Sequence, residues 1–169
     1  MEQEMTGKII VLGDNIDTDQ IYPGCFLALT DPKEIGSHCL EGVDEKIAGE
    51  FPEGGIVVAG KNFGCGSSRE HAAIALLNMG AAAVLADSFA RIFFRNAVNL
   101  GLLPLVCKGL NQHVKPNQTL TIDLKKWSIT VQETGETYLC EPLGDQALKI
   151  LEAGGIKPFM RARFGKKEC

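Results

Sequence analysis

The chain has 169 residues, 45% of them hydrophobic, which is enough for one core and excludes a disordered protein. The formal net charge of -4 gives no electrostatic reason to expect a nucleic-acid partner, because proteins that bind nucleic acids carry basic faces. No stretch approaches the roughly 20 apolar residues of a membrane span, and the acidic start Met1-Glu2-Gln3-Glu4 is unlike a signal peptide. We therefore expect a cytoplasmic protein.

Apolar periodicity predicts alternating strands and helices over the first two thirds of the chain. A strand runs from Lys8 to Leu12 into a polar loop, and Thr30-Asp31-Pro32 has the capping residue and the proline of a helix start. That helix is expected to reach about Leu40. The central elements that follow are a strand over 55–59, a helix over 72–79, a strand over 83–86, a helix over 88–100 and a strand over 102–106. Their β-α-β-α-β order predicts a mainly parallel sheet and an α/β fold.

The last third of the chain has a different pattern. Alternating apolar residues predict antiparallel strands with one solvent-facing side, over 118–124, 127–132 and 138–140. An amphipathic helix over about 145–153 comes next, and a basic tail covers about 157–169. Because no linker, internal repeat or low-complexity segment divides the chain, residues 1–169 are expected to form a single domain.

The cysteines are scattered singly, without the C-x-x-C pairs or histidine clusters of a zinc or iron-sulfur ligand set. We expect reduced thiols, with Cys107 and Cys140 serving as small core residues. Cys65 lies inside a glycine-rich loop, where packing and contact with a ligand both stay open. We expect this chain to bind no metal or cofactor itself. The six cysteines are Cys25, Cys39, Cys65, Cys107, Cys140 and Cys169.

The segment from Lys61 to Ala72, KNFGCGSSREHA, joins a predicted strand to a predicted helix and contains two glycines, two serines and an arginine. Free backbone N–H groups and the positive end of the dipole converge at a helix N-terminus, which suits a carboxylate or a phosphate. Arg69 adds a guanidinium that can grip a carboxylate with two hydrogen bonds. The segment is neither a Walker A loop, which ends in Gly-Lys-Ser/Thr, nor the dinucleotide fingerprint G-x-G-x-x-G.

Purely structural roles compete with a ligand site at both polar loops. Ser67 and Glu70 have the spacing of a capping box, which would only close the helix end. Capping does not account for Gly64 and Gly66 on either side of a cysteine, because such glycines let the backbone approach something closely, so a ligand site is favoured. In the loop over 13–20, three aspartates can bind a cation, hold an arginine or cap turns, and turn formation is favoured.

Three ordered motifs carry a resemblance to a known family. They are GDNIDTD from Gly13, GKNFGCGSSREHA from Gly60 and DSFARIFFRNA from Asp87. With these motifs the chain resembles the small subunits of 3-isopropylmalate dehydratases, which are similar to the C-terminal swivelling domain of aconitase. The resemblance extends from Lys8 to about Gly155. It implies a β/β/α swivelling domain with a mixed, mostly parallel sheet and a short antiparallel set of C-terminal strands.

The resemblance also implies an activity, the reversible dehydration of a hydroxy-dicarboxylate or hydroxy-tricarboxylate by two chains. A large subunit is expected to carry a 4Fe-4S cluster, so this chain alone is expected to be inactive, and self-association of the small subunit is left open. Ser67 matches the family's base, and Arg69 matches the clamp for a substrate carboxylate. Ser68 and Gly66 are expected to bind the substrate beside them, and Asp19 matches an active-site acid.

In this family, substrate choice is associated with the loop after that acid, whose apolar side chains here are Phe26, Leu27, Ala28 and Leu29. A dry pocket suits an alkyl substituent, because each buried CH₂ contributes about 0.8 kcal/mol whereas an unpaired carboxylate is costly to desolvate. The loop lacks the arginine with which aconitase-like and homoaconitase-like relatives bind an extra carboxylate. The resemblance thus implies isomerisation of isopropylmalate in leucine biosynthesis. The alternatives are a 2,3-dimethylmalate or citramalate dehydratase, a homoaconitase and, in a different class, a stand-alone carboxylate-binding module.

Overall fold

The computed structural model describes residues 3–164. The strands are β1 Glu4–Val11, β2 Ile56–Ala59, β3 Ala83–Ala86, β4 Leu103–Val106, β5 Thr119–Asp123, β6 Ser128–Val131 and β7 Thr137–Leu139. The helices are α1 Thr18–Ile21, α2 Pro32–Ser37, α3 Ile47–Glu50, α4 His71–Met79, α5 Arg91–Leu100, α6 Asp145–Ala153 and α7 Ile156–Phe164. Short 3-10 turns lie at Gly24–Phe26 and Leu110–Gln112.

All seven strands belong to one mixed sheet in the order β4-β3-β2-β1-β5-β6-β7. The first four strands run parallel, and the last three are antiparallel to their neighbours. Strand β1 joins the two parts, because its residues Glu4 to Lys8 pair with β5 whereas Ile9 to Val11 pair with β2. The expected α/β fold, with a parallel part followed by an antiparallel part, is confirmed.

Apolar side chains cover both faces of the parallel part. Val57 and Val84 belong to the hydrophobic cluster that contains residues of helices α2 and α4. Val58 and Leu85 belong to a second cluster, which contains residues of helix α6. Every residue of β2 and β3 is buried, because neighbouring strands and helices cover both sides. Strands that are buried on both faces have continuous apolar sequences instead of alternating ones. Short continuous apolar segments in the sequence therefore predicted these strands.

Several boundaries differ from the sequence predictions: strand β1 begins at Glu4 rather than Lys8, and helix α5 begins at Arg91 rather than at residue 88. Helix α2 ends at Ser37 rather than near Leu40, because Leu40 adopts φ 62° and its N–H donates to the carbonyl oxygen of Ile21 at 2.6 Å. The predicted basic tail begins instead as helix α7, in which Ile156 and Phe159 pack partly buried against the core. Residues 165–169 of that tail, with Cys169, and the first two residues of the acidic start lie outside the described residues, whereas Glu4 begins strand β1.

Helices α1 and α3, with four residues each, are further elements that periodicity did not predict. Helix α1 begins after Asp17, whose carboxylate accepts the Gln20 N–H at 2.7 Å, while the Asp17 N–H donates to the Gln20 amide oxygen at 3.0 Å. This reciprocal capping stabilises a helix that is too short to show an apolar period. Within residues 3–164, no helix combines the length and the apolar character needed to cross a bilayer.

Candidate active site

The polar motifs meet at one edge of the sheet. The loops over 13–17, 60–70 and 87–90 follow the neighbouring parallel strands β1, β2 and β3, whose carboxyl ends share that edge. Ligands of open α/β sheets characteristically bind beyond this edge. Backbone bonds between the loops run from Gly60 N to Gly13 O (3.0 Å), Asn15 N to Lys61 O (2.7 Å), Gly64 N to Ile16 O (2.8 Å), Thr18 N to Cys65 O (2.7 Å) and Phe63 N to Ser88 O (3.0 Å).

Each aspartate of the first loop accepts a backbone N–H. The Asp14 carboxylate accepts from Lys61 N at 2.7 Å, Asp17 caps helix α1, and the Asp19 carboxylate accepts from Gly24 N at 2.9 Å. Local turn formation, which the residue types favoured, therefore accounts for the hydrogen bonds of Asp17 and Asp19, whereas Asp14 joins the first loop to Lys61, 47 positions away. Within residues 3–164, no group of three or more His, Cys, Asp or Glu side chains is arranged to hold a metal ion.

The two glycines around Cys65 are required by close contacts. Gly64 has φ 84° and Gly66 has φ 110°, a region that side-chain-bearing residues rarely adopt. A Cβ on Gly64 would collide with the Phe93 ring, and one on Gly66 would lie 3.1 Å from Thr18 Oγ1. The glycines thus let the serine loop pack against helix α5 on one side and against helix α1 on the other.

Ser67 does not form the capping box that its spacing with Glu70 allowed. Helix α4 begins at His71, and its N-cap residue Glu70 makes no capping hydrogen bond through its side chain. Instead, Ser67 Oγ accepts hydrogen bonds from Arg69 Nε at 2.9 Å, from Arg69 N at 3.3 Å and from Thr18 Oγ1 at 3.3 Å. Three donors directed at one hydroxyl oxygen stabilise negative charge on that oxygen.

The guanidinium of Arg69 is held through its Nε and keeps its outer edge free. Neither of its terminal nitrogens has a hydrogen-bond partner among residues 3–164. Arg69 Nη1 lies 3.8 Å from the position that a Cβ on Gly24 would occupy, and Asp19 Oδ1 lies 3.6 Å from the same position. The structure therefore brings Ser67, Arg69 and Asp19, the three residues to which the family resemblance gives catalytic roles, into one neighbourhood.

An open pocket of about 260 Å³ lies in front of the serine loop. Its walls combine the loop with the first turn of helix α5, where Arg91 is exposed and Ile92 is 47% exposed. Arg91 also borders a larger hollow of about 340 Å³, so size alone does not identify the site, and we assign it from the chemistry of Ser67. The residues lining the smaller pocket are Gly64, Gly66, Ser67, Ala90, Arg91 and Ile92.

Sequence reasoning did not assign three residues of this site: Thr18, Ala90 and Ile92. Ala90 and Ile92 belong to the third motif, DSFARIFFRNA. The sequence indicated that this motif is characteristic of the family, but it did not show which of its residues line the pocket beside Ser67. Ser68, which we expected beside the substrate, is exposed, and its carbonyl oxygen accepts from Asn96 Nδ2 at 3.2 Å. This bond ties the serine loop to helix α5.

The expected substrate loop is anchored by aromatic contacts. The Phe26 ring stacks on the His38 ring with 3.8 Å between their centroids. The backbone carbonyl oxygen of Phe26 accepts a hydrogen bond from the Tyr22 hydroxyl at 2.6 Å. Burial raises the pKa of that hydroxyl, so it remains a donor. Leu27 and Leu29 pack partly buried against the core, as Phe26 does, whereas Ala28 is exposed. Contact between this loop and a substrate stays a prediction.

These features define a class of protein, the swivelling domains of aconitase-type enzymes, and residues 50–110 match the family described as the aconitase C-terminal domain. A Methanopyrus kandleri protein named 3-isopropylmalate dehydratase small subunit 1 is 47% identical over 95% of this chain and 95% of its own length. The chain belongs to the family of 3-isopropylmalate dehydratase small subunits.

Two further comparisons support the fold and widen the range of relatives. A crystal structure described as 3-isopropylmalate dehydratase from Methanocaldococcus jannaschii has a TM-score of 0.92 at 42% identity, covering 98% of this chain and 99% of that one. A protein of the same organism named methanogen homoaconitase small subunit is 44% identical over 93% of this chain and 91% of its own length. The family resemblance and the expected fold are confirmed.

Proposed function

We propose that this chain is the small subunit of a two-chain hydro-lyase that interconverts 2-isopropylmalate and 3-isopropylmalate in leucine biosynthesis. The observation that carries the proposal is the set of three hydrogen-bond donors directed at Ser67 Oγ, beside an arginine whose outer edge is free. The names of the relatives support the reaction class. The apolar loop at Phe26 to Leu29 supports an alkyl-substituted malate as the substrate.

Ser67 acts as the base in this proposal. Its oxygen takes the proton from the carbon next to the one that bears the hydroxyl, the double bond forms between these two carbons, and hydroxide leaves. Water then adds to the double bond with the hydroxyl on the carbon that lost the proton and the proton on the carbon that lost the hydroxyl, which gives the isomer. A serine hydroxyl is a weak base at neutral pH, so the alkoxide needs the two donors of Arg69 and the donor of Thr18. The charge of Arg91 across the pocket adds positive potential.

Arg69 binds a substrate carboxylate through its two terminal nitrogens, because its Nε is occupied by Ser67. Ser68 and the Gly66 backbone lie at the exposed side of the same loop and bind the substrate next to that carboxylate. Asp19 fixes the turn at Gly24 and so sets the start of the substrate loop beside the arginine. Each of these roles concerns binding and orientation rather than proton transfer.

The partner in this proposal is a large subunit that carries a 4Fe-4S cluster. Iron-sulfur clusters are held by several converging cysteine thiolates, and the side chains of residues 3–164 do not fit one. When bound in the partner, the cluster supplies a Lewis acid for the leaving hydroxyl. The five described cysteines are free thiols, which agrees with a reducing compartment, and we propose that the complex works in the cytoplasm.

Reconstitution with the large subunit of a 3-isopropylmalate dehydratase from the same organism tests the proposal. The cluster is rebuilt without oxygen, and ultraviolet absorbance follows the turnover of 2-isopropylmalate, 2,3-dimethylmalate, citramalate and homocitrate. A preference for 2-isopropylmalate is the expected result. A preference for another substrate would move the enzyme to another pathway, and the 44% identical homoaconitase relative makes homocitrate the first alternative. Turnover of none of them would favour a stand-alone carboxylate-binding module.

The base is tested with Ser67→Ala in the reconstituted complex. Turnover is expected to fall below detection while the subunits still assemble on size-exclusion chromatography. Ser37→Ala is the matched control, because this exposed serine on helix α2 only donates to the Glu34 carbonyl oxygen at 2.7 Å. Near-normal turnover with Ser67→Ala would overturn the assignment of the base.

A further inference from the structure

We propose that Thr18 is a positioning residue that holds both the backbone and the hydroxyl oxygen of Ser67, an inference that rests on the proposed function of that serine. Thr18 Oγ1 accepts the Ser67 N–H at 3.1 Å and donates to Ser67 Oγ at 3.3 Å. One hydroxyl therefore fixes the serine at two points. The two residues are 49 positions apart in the sequence.

Burial makes these hydrogen bonds necessary. Thr18 is 5% exposed, and only Ser128 accompanies it as a buried polar residue within residues 3–164. A buried hydroxyl without a hydrogen-bond partner destabilises the fold, because it has lost its hydrogen bonds to water. Since the Thr18 oxygen already accepts from the Ser67 N–H, its single proton is directed to Ser67 Oγ.

The same hydrogen bonds hold the oxygen of Ser67 in place. Ser67 Oγ accepts from Thr18 and twice from Arg69, and its own proton has no acceptor among the described residues. Ser67 also lines the open pocket in front of the serine loop. In the proposed mechanism Thr18 therefore helps to keep the base oxygen at a fixed position beside that pocket, where the substrate binds.

The surroundings fix Thr18 in turn. Its N–H donates to the Cys65 carbonyl oxygen at 2.7 Å, and its carbonyl oxygen accepts from Tyr22 N at 2.9 Å. It is the first residue of helix α1, which begins after Asp17. The missing side chain of Gly66 admits the close approach, because a Cβ there would lie 3.1 Å from Thr18 Oγ1. The threonine is therefore held by both loops that it joins.

Two variants of Thr18 in the reconstituted complex test the proposal. Thr18→Val keeps the shape but removes the hydroxyl, and kcat is expected to fall about 100-fold, as for loss of one donor to a reacting oxygen. KM is expected to change less than about threefold, because Arg69 still binds the carboxylate. Thr18→Ser keeps the hydroxyl and is expected to retain kcat within about threefold of the wild type. A mainly structural role would not be rescued by the hydroxyl alone.

Two kinetic outcomes would overturn the inference. If Thr18→Val keeps kcat within about threefold of the wild type, the hydroxyl does not position the base. If Thr18→Ser loses as much activity as Thr18→Val, the retained hydroxyl does not restore the base, and the packing of the whole side chain rather than its hydrogen bond to Ser67 accounts for the loss. In both cases Ser67→Ala in the same preparation reports separately on the proposed function, so the two failures are distinguishable.

Amide hydrogen exchange supplies a readout that needs no catalysis. In the full-length ¹⁵N-labelled chain, the Ser67 amide is expected to exchange about 10-fold faster in Thr18→Val and at the wild-type rate in Thr18→Ser. The Ile74 amide inside helix α4, which donates to the Glu70 carbonyl oxygen, is the internal reference. Unchanged exchange of the Ser67 amide in Thr18→Val would contradict the contact itself, whatever the complex turns over.

Discussion

Arg69 Nε lies 2.9 Å from Ser67 Oγ, so the guanidinium contacts the proposed base with one edge. Its terminal nitrogens remain for a carboxylate, and Nη1 lies on the side of Gly24. In the proposed mechanism, one side chain thus stabilises the charge on the base and binds the substrate. Lysine cannot do both, because its ammonium is a single compact charge without a planar fork.

Arg69→Lys is therefore expected to reduce catalysis although it keeps the charge. In the reconstituted complex, kcat/KM should fall about 100-fold, with contributions from both kcat and KM, because two kinds of charged hydrogen bond are lost. Steady-state kinetics at saturating and limiting substrate separate the two effects. Arg95→Lys on the exposed face of helix α5 is the control. A change in KM alone would show that the Nε bond to Ser67 is not needed.

Gly64 is expected to tolerate no side chain. Its φ of 84° and the adjacent Phe93 ring predict that Gly64→Ala lowers the free energy of unfolding by about 2–4 kcal/mol. Urea unfolding followed by circular dichroism measures the change. Gly13→Ala is the matched control, because no atom lies within 4 Å of a Cβ there, and its effect should stay within about 0.5 kcal/mol. Equal effects of the two variants would contradict a steric role for Phe93.

The substrate loop is expected to control the choice between alkyl and carboxylate substituents. Ala28 is exposed, so Ala28→Arg adds a charge without burying it. The ratio of kcat/KM for homocitrate to that for 2-isopropylmalate should rise about tenfold, the effect of one charge-assisted hydrogen bond. Ala28→Gln adds length without charge and should leave the ratio unchanged. An unchanged ratio in Ala28→Arg would remove this loop from the specificity argument.

Burial divides the described thiols into two groups. Burial, with smaller contributions from Cys140 and Asp87, raises the pKa of Cys107 to about 12, and burial raises that of Cys140 to about 11. The Cys39 pKa is also well above its ordinary value because the thiol is buried. At pH 8 these thiols are protonated as well as inaccessible, and the thiolate is the nucleophile.

Iodoacetamide labelling of the native chain at pH 8, mapped by mass spectrometry, is therefore expected to modify exposed Cys25 first and half-buried Cys65 more slowly. Cys39, Cys107 and Cys140 should react only after denaturation. Prior unfolding in guanidinium provides the control for intrinsic reactivity. Labelling of Cys107 or Cys140 in the native protein at the rate of Cys25 would contradict their burial.

The sequence predicted strands β2, β3 and β4 and helix α6 closely, because burial of neighbouring residues produces their apolar patterns. The start of β1 was missed, because polar residues occupy every second position from Glu4 to Lys8. The two glycines around Cys65 favoured a ligand in the sequence analysis, whereas the groups that approach their backbone are the Phe93 ring and the Thr18 hydroxyl. The sequence did not predict helix α1, which has too few residues for a period, and it allowed a capping role for Ser67 that the start of helix α4 at His71 excludes. The Thr18 contact with Ser67 spans 49 positions and leaves no local pattern.

Strand β1 has a consequence for the synthesis of the chain. Its residues Glu4 to Lys8 find their backbone partners only in Thr119–Asp123, which leave the ribosome much later. Until then the first strand is an open edge with unpaired N–H and C=O groups, the kind that recruits strands from other chains. Closure between segments so distant in sequence is slow. The nascent chain, rather than the finished subunit, is thus the form most exposed to aggregation.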